Sequence, residues 1–116
     1  VSYILDTNIV SYILKRKNTS VENKLRQARV LGQDVFISCV TYYEVKRGLL
    51  YAKATTQLAE FDTFCRTYPI LYLDDIEIIE KACEIHANLK SKGTPIQDAD
   101  VLIAATAQIA RINFGY

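Results

Sequence analysis

Three short apolar runs punctuate this sequence: Tyr3-Ile4-Leu5, Val35-Phe36-Ile37 and Ile70-Leu71-Tyr72-Leu73. A longer helical pattern follows each of them. Apolar runs this short read as strands, and the intervening 3.6-residue periods read as helices. After the first run, Ile9, Val10, Ile13 and Leu14 fall on one helix face, and Lys15-Arg16-Lys17 set cations at its C-terminal end. Thr19-Ser20-Val21-Glu22 reads as a capping box that opens a helix stopped by Gly32. Thr41-Tyr42-Tyr43-Glu44 reads as a second capping box with a helix behind it.

The pattern continues to the end of the chain. A helix is expected from Thr55 to Arg66, carrying Leu58, Phe61, Phe64 and Cys65, with Pro69 breaking it. Asp74-Asp75-Ile76-Glu77 caps the next one. Its apolar face is Ile78, Ile79, Ala82, Ile85 and Leu89, and Gly93 ends it. Thr94 then supplies an N-cap, Pro95 the first helical position and Gln97 the box partner of a last helix running to Ala110. Ile112-Asn113-Phe114-Gly115-Tyr116 reads as the lead-in to a further strand, so a single domain spanning 1–116 and incomplete at its C-terminus is expected. There is also no methionine.

Strands alternating with helices predict an α/β fold with a mainly parallel sheet and right-handed crossovers. Ligands of such sheets bind beyond the carboxyl ends of the strands. Asp6 closes the first strand, and Glu44 lies soon after the second.

Composition narrows the function classes. With 116 residues, 50% hydrophobic and 23% charged, the chain is an ordinary globular domain without linkers or repeats. A net charge of +1 gives no bulk electrostatic case for nucleic acid, so any basic patch must be local. No apolar run reaches membrane-span length, and no charged leader precedes the first apolar run, so a cytoplasmic protein without a membrane partner is expected. Cys39, Cys65 and Cys83 match neither a zinc nor a redox spacing and read as buried free thiols of a reducing compartment.

Four acids stand out: Asp6, Glu44, Asp98 and Asp100. The first three each have a structural reading, as caps or first-turn charges. Asp100 reads as set well inside an apolar helix, among Ala99, Val101, Leu102, Ile103 and Ala104, where a lone carboxylate is costly unless paired or bound to a cation. Asp98 and Asp100 sit roughly 200° apart around a helix, so one is expected as a primary ligand and the other as peripheral. Carboxylates converging from separate segments repel one another, and a hard divalent cation such as Mg²⁺ or Mn²⁺ removes that cost. Such a cation activates water and stabilises phosphodiester displacement.

Rival chemistries lack their residues. His86 is the single histidine and reads as a packed or interface residue, so a zinc site of the Cys/His kind is excluded. No GxSxG and no phosphate-cradling Gly-rich loop is present. A haloacid-dehalogenase-type phosphatase requires an acid where Asn8 stands, and a receiver domain requires paired acids near Asp6.

Three stretches together resemble the PIN-domain family, and more narrowly its VapC-type toxins. They are Ile4-Leu5-Asp6-Thr7-Asn8, Ser38-Cys39-Val40-Thr41-Tyr42-Tyr43-Glu44-Val45-Lys46-Arg47-Gly48-Leu49, and Gly93-Thr94-Pro95-Ile96-Gln97-Asp98-Ala99-Asp100-Val101-Leu102-Ile103-Ala104-Ala105. The resemblance covers essentially the whole chain in the same order and spacing. It implies a three-layer α/β/α domain and an Mg²⁺-dependent endoribonuclease, with Mn²⁺ able to substitute. Asp6, Glu44 and Asp100 match the family's first three acids, and Asp98 an extra acid of many members. Thr7 and Asn8 match polar residues supporting the first acid. The family's fourth acid is expected beyond Tyr116.

The resemblance further implies an RNA substrate, a small cognate antitoxin of a type II toxin–antitoxin pair, and a homodimer. The alternative is a non-catalytic PIN-fold interaction domain with a degenerate acidic site. Lys15, Arg16, Lys17, Lys46, Arg47 and Lys53 are candidates for tracking an RNA backbone, against a plainly solvated face. Tyr42 and Tyr43 are candidates for stacking on bases, against core packing.

Overall fold

Ile4 and Leu5 are neighbours in sequence, and both are completely buried. Successive residues of a strand point to opposite faces, so each needs its own apolar layer. Leu5 packs with Val10, Leu25, Val35, Ile37 and Phe61. Ile4 packs with Ile103 and Ala107. The strand that carries them is therefore central, with helices above and below.

The computed structural model describes residues 2–15 and 19–115. Its elements are β1 (Ser2–Leu5), α1 (Thr7–Leu14), α2 (Thr19–Val30), β2 (Asp34–Ser38), α3 (Cys39–Tyr51) and α4 (Thr55–Thr67). These are followed by β3 (Ile70–Leu71), α5 (Ile76–Ser91), α6 (Asp98–Ile109) and β4 (Asn113–Gly115). The four strands are ordered β3-β2-β1-β4, and every pairing is parallel. Leu5 is in register with Ile37 on one side and Gly115 on the other. The strand expected after the last helix is thus present, seated beside β1.

Helices α1 to α4 supply the larger core, through residues such as Val10, Leu25, Val45, Phe61 and Phe64. On the other face α6 lies against the sheet, and α5 packs on α6 through Ile78 and Ala82 against Val101 and Ala105. The expected three-layer α/β/α architecture is the one observed. Among the described residues, no helix is long and apolar enough to cross a membrane.

Several local expectations are corrected. The third strand pairs only at Ile70–Leu71, not through Leu73. The capping box at Thr41–Glu44 does not form, because α3 has already begun. Ser38 is the N-cap, in extended conformation, and its hydroxyl accepts from the Val40 amide at 3.0 Å. Thr94 does not cap α6 either. Gly93 takes a left-handed turn (φ +72°), and both the amide and the hydroxyl of Thr94 donate back to the Leu89 carbonyl, closing α5.

α6 begins at Asp98, with Gln97 as an N-cap that makes no side-chain cap bond. The thiols are free, but only Cys39 and Cys65 are partly buried, and Cys83 is exposed. His86 is exposed on α5 rather than packed within the chain, and Ile79 lies at the edge of its stripe, 37% exposed.

Candidate functional site

From β1 the chain moves through α1 and α2 to β2, then on to β3 at one edge of the sheet. It returns through α5 and α6 to β4, on the opposite side of β1. The direction of winding reverses between β1 and β4. In open parallel sheets the crevice beyond the carboxyl ends at such a reversal is where ligands bind. Asp6 is the first residue beyond β1, at that position.

Asp6 also caps α1. Its backbone is extended (φ −81°, ψ 168°), and Oδ1 accepts from the Ile9 amide at 2.8 Å. The structural reading of this residue, as a cap, is therefore the one observed. The cap uses one carboxylate oxygen, and among the described residues no bond falls on the other.

Thr7 joins the first acid's segment to the second acid. Its hydroxyl donates to Glu44 Oε1 at 2.6 Å and lies 3.2 Å from the hydroxyl of Thr41. A hydroxyl has one proton, and a carboxylate only accepts, so Thr7 gives its proton to Glu44 and takes one from Thr41. Thr41 is fully buried, and the Glu44 side chain is 17% exposed. Arg47, one turn further along α3, holds Nη2 3.9 Å from Glu44 Oε2. The resemblance assigned Thr7 to the first acid; its hydroxyl instead serves the second. Thr41 was missed in the sequence, yet once α3 starts after Ser38, Thr41 and Glu44 share a face at i and i+3. Asn8 is exposed near the start of α1.

The acids of α6 differ most from expectation. Because α6 starts at Asp98, Asp100 is in its first turn and exposed, not buried within an apolar helix. Both acids sit at the positive end of the helix dipole, where carboxylates are favoured. Asp98 lines a hollow of about 490 Å³ that Glu44 also lines, together with Tyr43, Arg47 and Gln97, and Asp100 is not among its lining residues. Glu44 borders a second hollow, of about 290 Å³, with Ser11 and Lys15. Lys15 is thereby placed near the acid.

Lys46 turns away. Its ammonium donates to the Tyr42 hydroxyl at 2.9 Å, a bond that holds the lysine above its usual range, and Tyr42 packs on Phe61. Tyr42 is thus the core-side tyrosine and Tyr43 the exposed one. Arg16 and Lys17 lie outside the described residues.

An all-oxygen carboxylate set suits a hard divalent cation rather than a thiophilic one. Among the described residues, no three Asp, Glu, His or Cys side chains already form a cage. Mg²⁺ does not need one, since it keeps several waters and is held by one or two carboxylates. Among the described residues, one Asp6 oxygen carries no bond and Glu44 Oε2 faces only a distant guanidinium, so the donor chemistry fits such an ion.

The PIN domain family model matches residues 3–114. Ribonuclease VapC1 of Methanocaldococcus jannaschii is 37% identical over 86 residues, which is 74% of this chain. The match spans 60% of that relative's length. VapBC2 from Rickettsia felis, solved bound to a DNA fragment from the promoter, superposes with TM-score 0.88 at 24% identity, covering 97% of this chain and 84% of that one. DNA-bound VapBC from Salmonella typhimurium gives TM-score 0.82 at 26% identity, covering 92% and 79%.

Proposed function

The chain belongs to the PIN-domain family, and from that premise we propose that it is a metal-dependent endoribonuclease acting as the toxin of a type II toxin–antitoxin pair in the cytoplasm. The observation that carries this reading is the placement of Asp6 at the sheet's reversal point, with Glu44 tied to the same segment through Thr7. The similarity to Ribonuclease VapC1 supports RNA as the substrate. The likeness to VapBC supports a small antitoxin as partner. A homodimer completes the proposal.

Asp6, Glu44, Asp98 and Asp100 are the residues that would hold Mg²⁺, with Mn²⁺ able to replace it. The ion supplies water activation and neutralisation of charge on the phosphodiester oxygens. The chain's own contribution is to fix the donors. Capping locks the Asp6 backbone and one carboxylate oxygen. The Thr7 proton fixes the rotamer of Glu44. Lys15 lies beside Glu44 and offers a cation to the RNA backbone.

The test is RNA cleavage by the purified protein in Mg²⁺ or Mn²⁺. Asp6→Asn and Asp100→Asn are expected to abolish it while leaving the melting temperature near the wild-type value. Mn²⁺ is expected to raise the melting temperature of the wild type and not of Asp6→Asn. Cleavage by Asp6→Asn at the wild-type rate would overturn the site. No Mn²⁺ response and no cleavage by the wild type would favour the non-catalytic interaction domain.

A further inference from the structure

Two of the proposed metal ligands, Glu44 and Asp98, border the 490 Å³ hollow between α3 and the start of α6, so the hollow adjoins the proposed active site. Leu102 gives it an apolar wall. On the rim, the Arg47 guanidinium lies 4.9 Å from the ring centroid of Tyr43. These residues are one helical turn apart, so the arginine braces the ring while the ring stays 61% exposed. The Arg47 charge is itself shared with Glu44. Gln97 also lines the hollow, and its carboxamide is not spent on capping α6. It offers one acceptor and two donors.

Beside its two carboxylates and Arg47, the hollow offers Val40 and Leu102, a braced aromatic ring and one amide, a lining that suits a flat, uncharged, hydrogen-bonding group. Resting on the ribonuclease reading above, we propose that it is a base-binding subsite of the same active site. An unpaired nucleobase next to the scissile phosphate stacks on Tyr43, and Gln97 reads its edge. A base in a duplex has its faces stacked and its edge paired, so this subsite selects single-stranded RNA. Tyr43 and Gln97 are binding and specificity residues, and Arg47 positions Tyr43.

The experiment maps cut sites and kinetics on sequence-randomised single-stranded RNA with Mg²⁺, for the wild type, Tyr43→Ala, Tyr43→Phe and Gln97→Ala. The wild type is expected to prefer one class of base at a position flanking the cut and to cut duplex RNA poorly. Loss of the ring in Tyr43→Ala is expected to raise KM roughly tenfold with kcat little changed. Tyr43→Phe keeps the ring and restores KM. Gln97→Ala flattens the base preference at the flanking position. If Tyr43→Ala and Gln97→Ala keep the wild-type KM and base preference while still cutting RNA, the subsite is overturned and the nuclease stands. If the wild type cuts no RNA with either metal, the nuclease reading fails and the subsite falls with it.

Discussion

Asp6 caps α1 and is also a proposed metal ligand, and substitution can separate the two. Asn caps a helix about as well as Asp, whereas Ala removes the cap at a cost of about 1 kcal/mol. Asp6→Asn is therefore expected to lose cleavage without losing stability. Asp6→Ala should lose both, and urea midpoints for the two proteins measure the difference. Thr7 offers a second separation. Thr7→Val leaves the partly buried Glu44 carboxylate without its 2.6 Å donor, an expected cost of about 1–2 kcal/mol, moderated by the water that still reaches Glu44. An unchanged urea midpoint in Thr7→Val would remove that bond from the account of the site. The sequence made Asp6 legible because a polar residue ending an apolar run has few other places to be. It misplaced Asp100 because apolar neighbours suggest burial only if the helix has already begun, and α6 begins at Asp98.

The same error of onset recurs among the elements. Thr41-Tyr42-Tyr43-Glu44 and Thr94-Pro95-Ile96-Gln97 both carry the letters of a capping box, and neither forms one. A cap requires extended backbone just before the first turn. At α3 that backbone belongs to Ser38, the last residue of β2. The strand runs directly into the helix, and the periodicity of so short a junction does not reveal where one ends. Near α6, Gly93 and Thr94 are used to finish α5, which leaves the later helix to start without a side-chain cap bond. The consequence at α3 is measurable. Ser38→Ala should cost about 1 kcal/mol, because the Val40 amide loses its acceptor. A Thr41→Val change leaves that cap intact, and its effect should instead appear in cleavage, through the proton that Thr41 gives to Thr7. Equal stability in Ser38→Ala and wild type, read from thermal or urea melts, would return the cap to another residue.

At the scale of the whole molecule, the α/β class and the parallel sheet were legible, since strands separated by helices leave little alternative. Strand order was not. No residue in β4 states that it will pair with β1 rather than β3, and only that order puts Asp6 at the reversal point. The pairing of α5 was equally hidden, because an apolar stripe does not name what covers it. In the fold, α1 to α4 share one continuous core beneath the sheet. On the other face α6 is held on both sides, by Ile4 through Ile103 and by α5 through Val101. α5 has α6 as its main support, and Ile76 and Ile79 on its surface remain 68% and 37% exposed. An outer helix covered on one face only opens at lower free energy than the central strand, which is covered on both. Amide hydrogen exchange of dilute protein should therefore show Ile76–Ser91 exchanging well before Ser2–Leu5 and the buried turns of α6. If the proposed homodimer buries this face, protection of α5 should rise with protein concentration while that of β1 does not change, because mass action stabilises only what the second copy covers. Protection of α5 equal to that of β1 at every concentration would mean that α5 opens only with the whole domain.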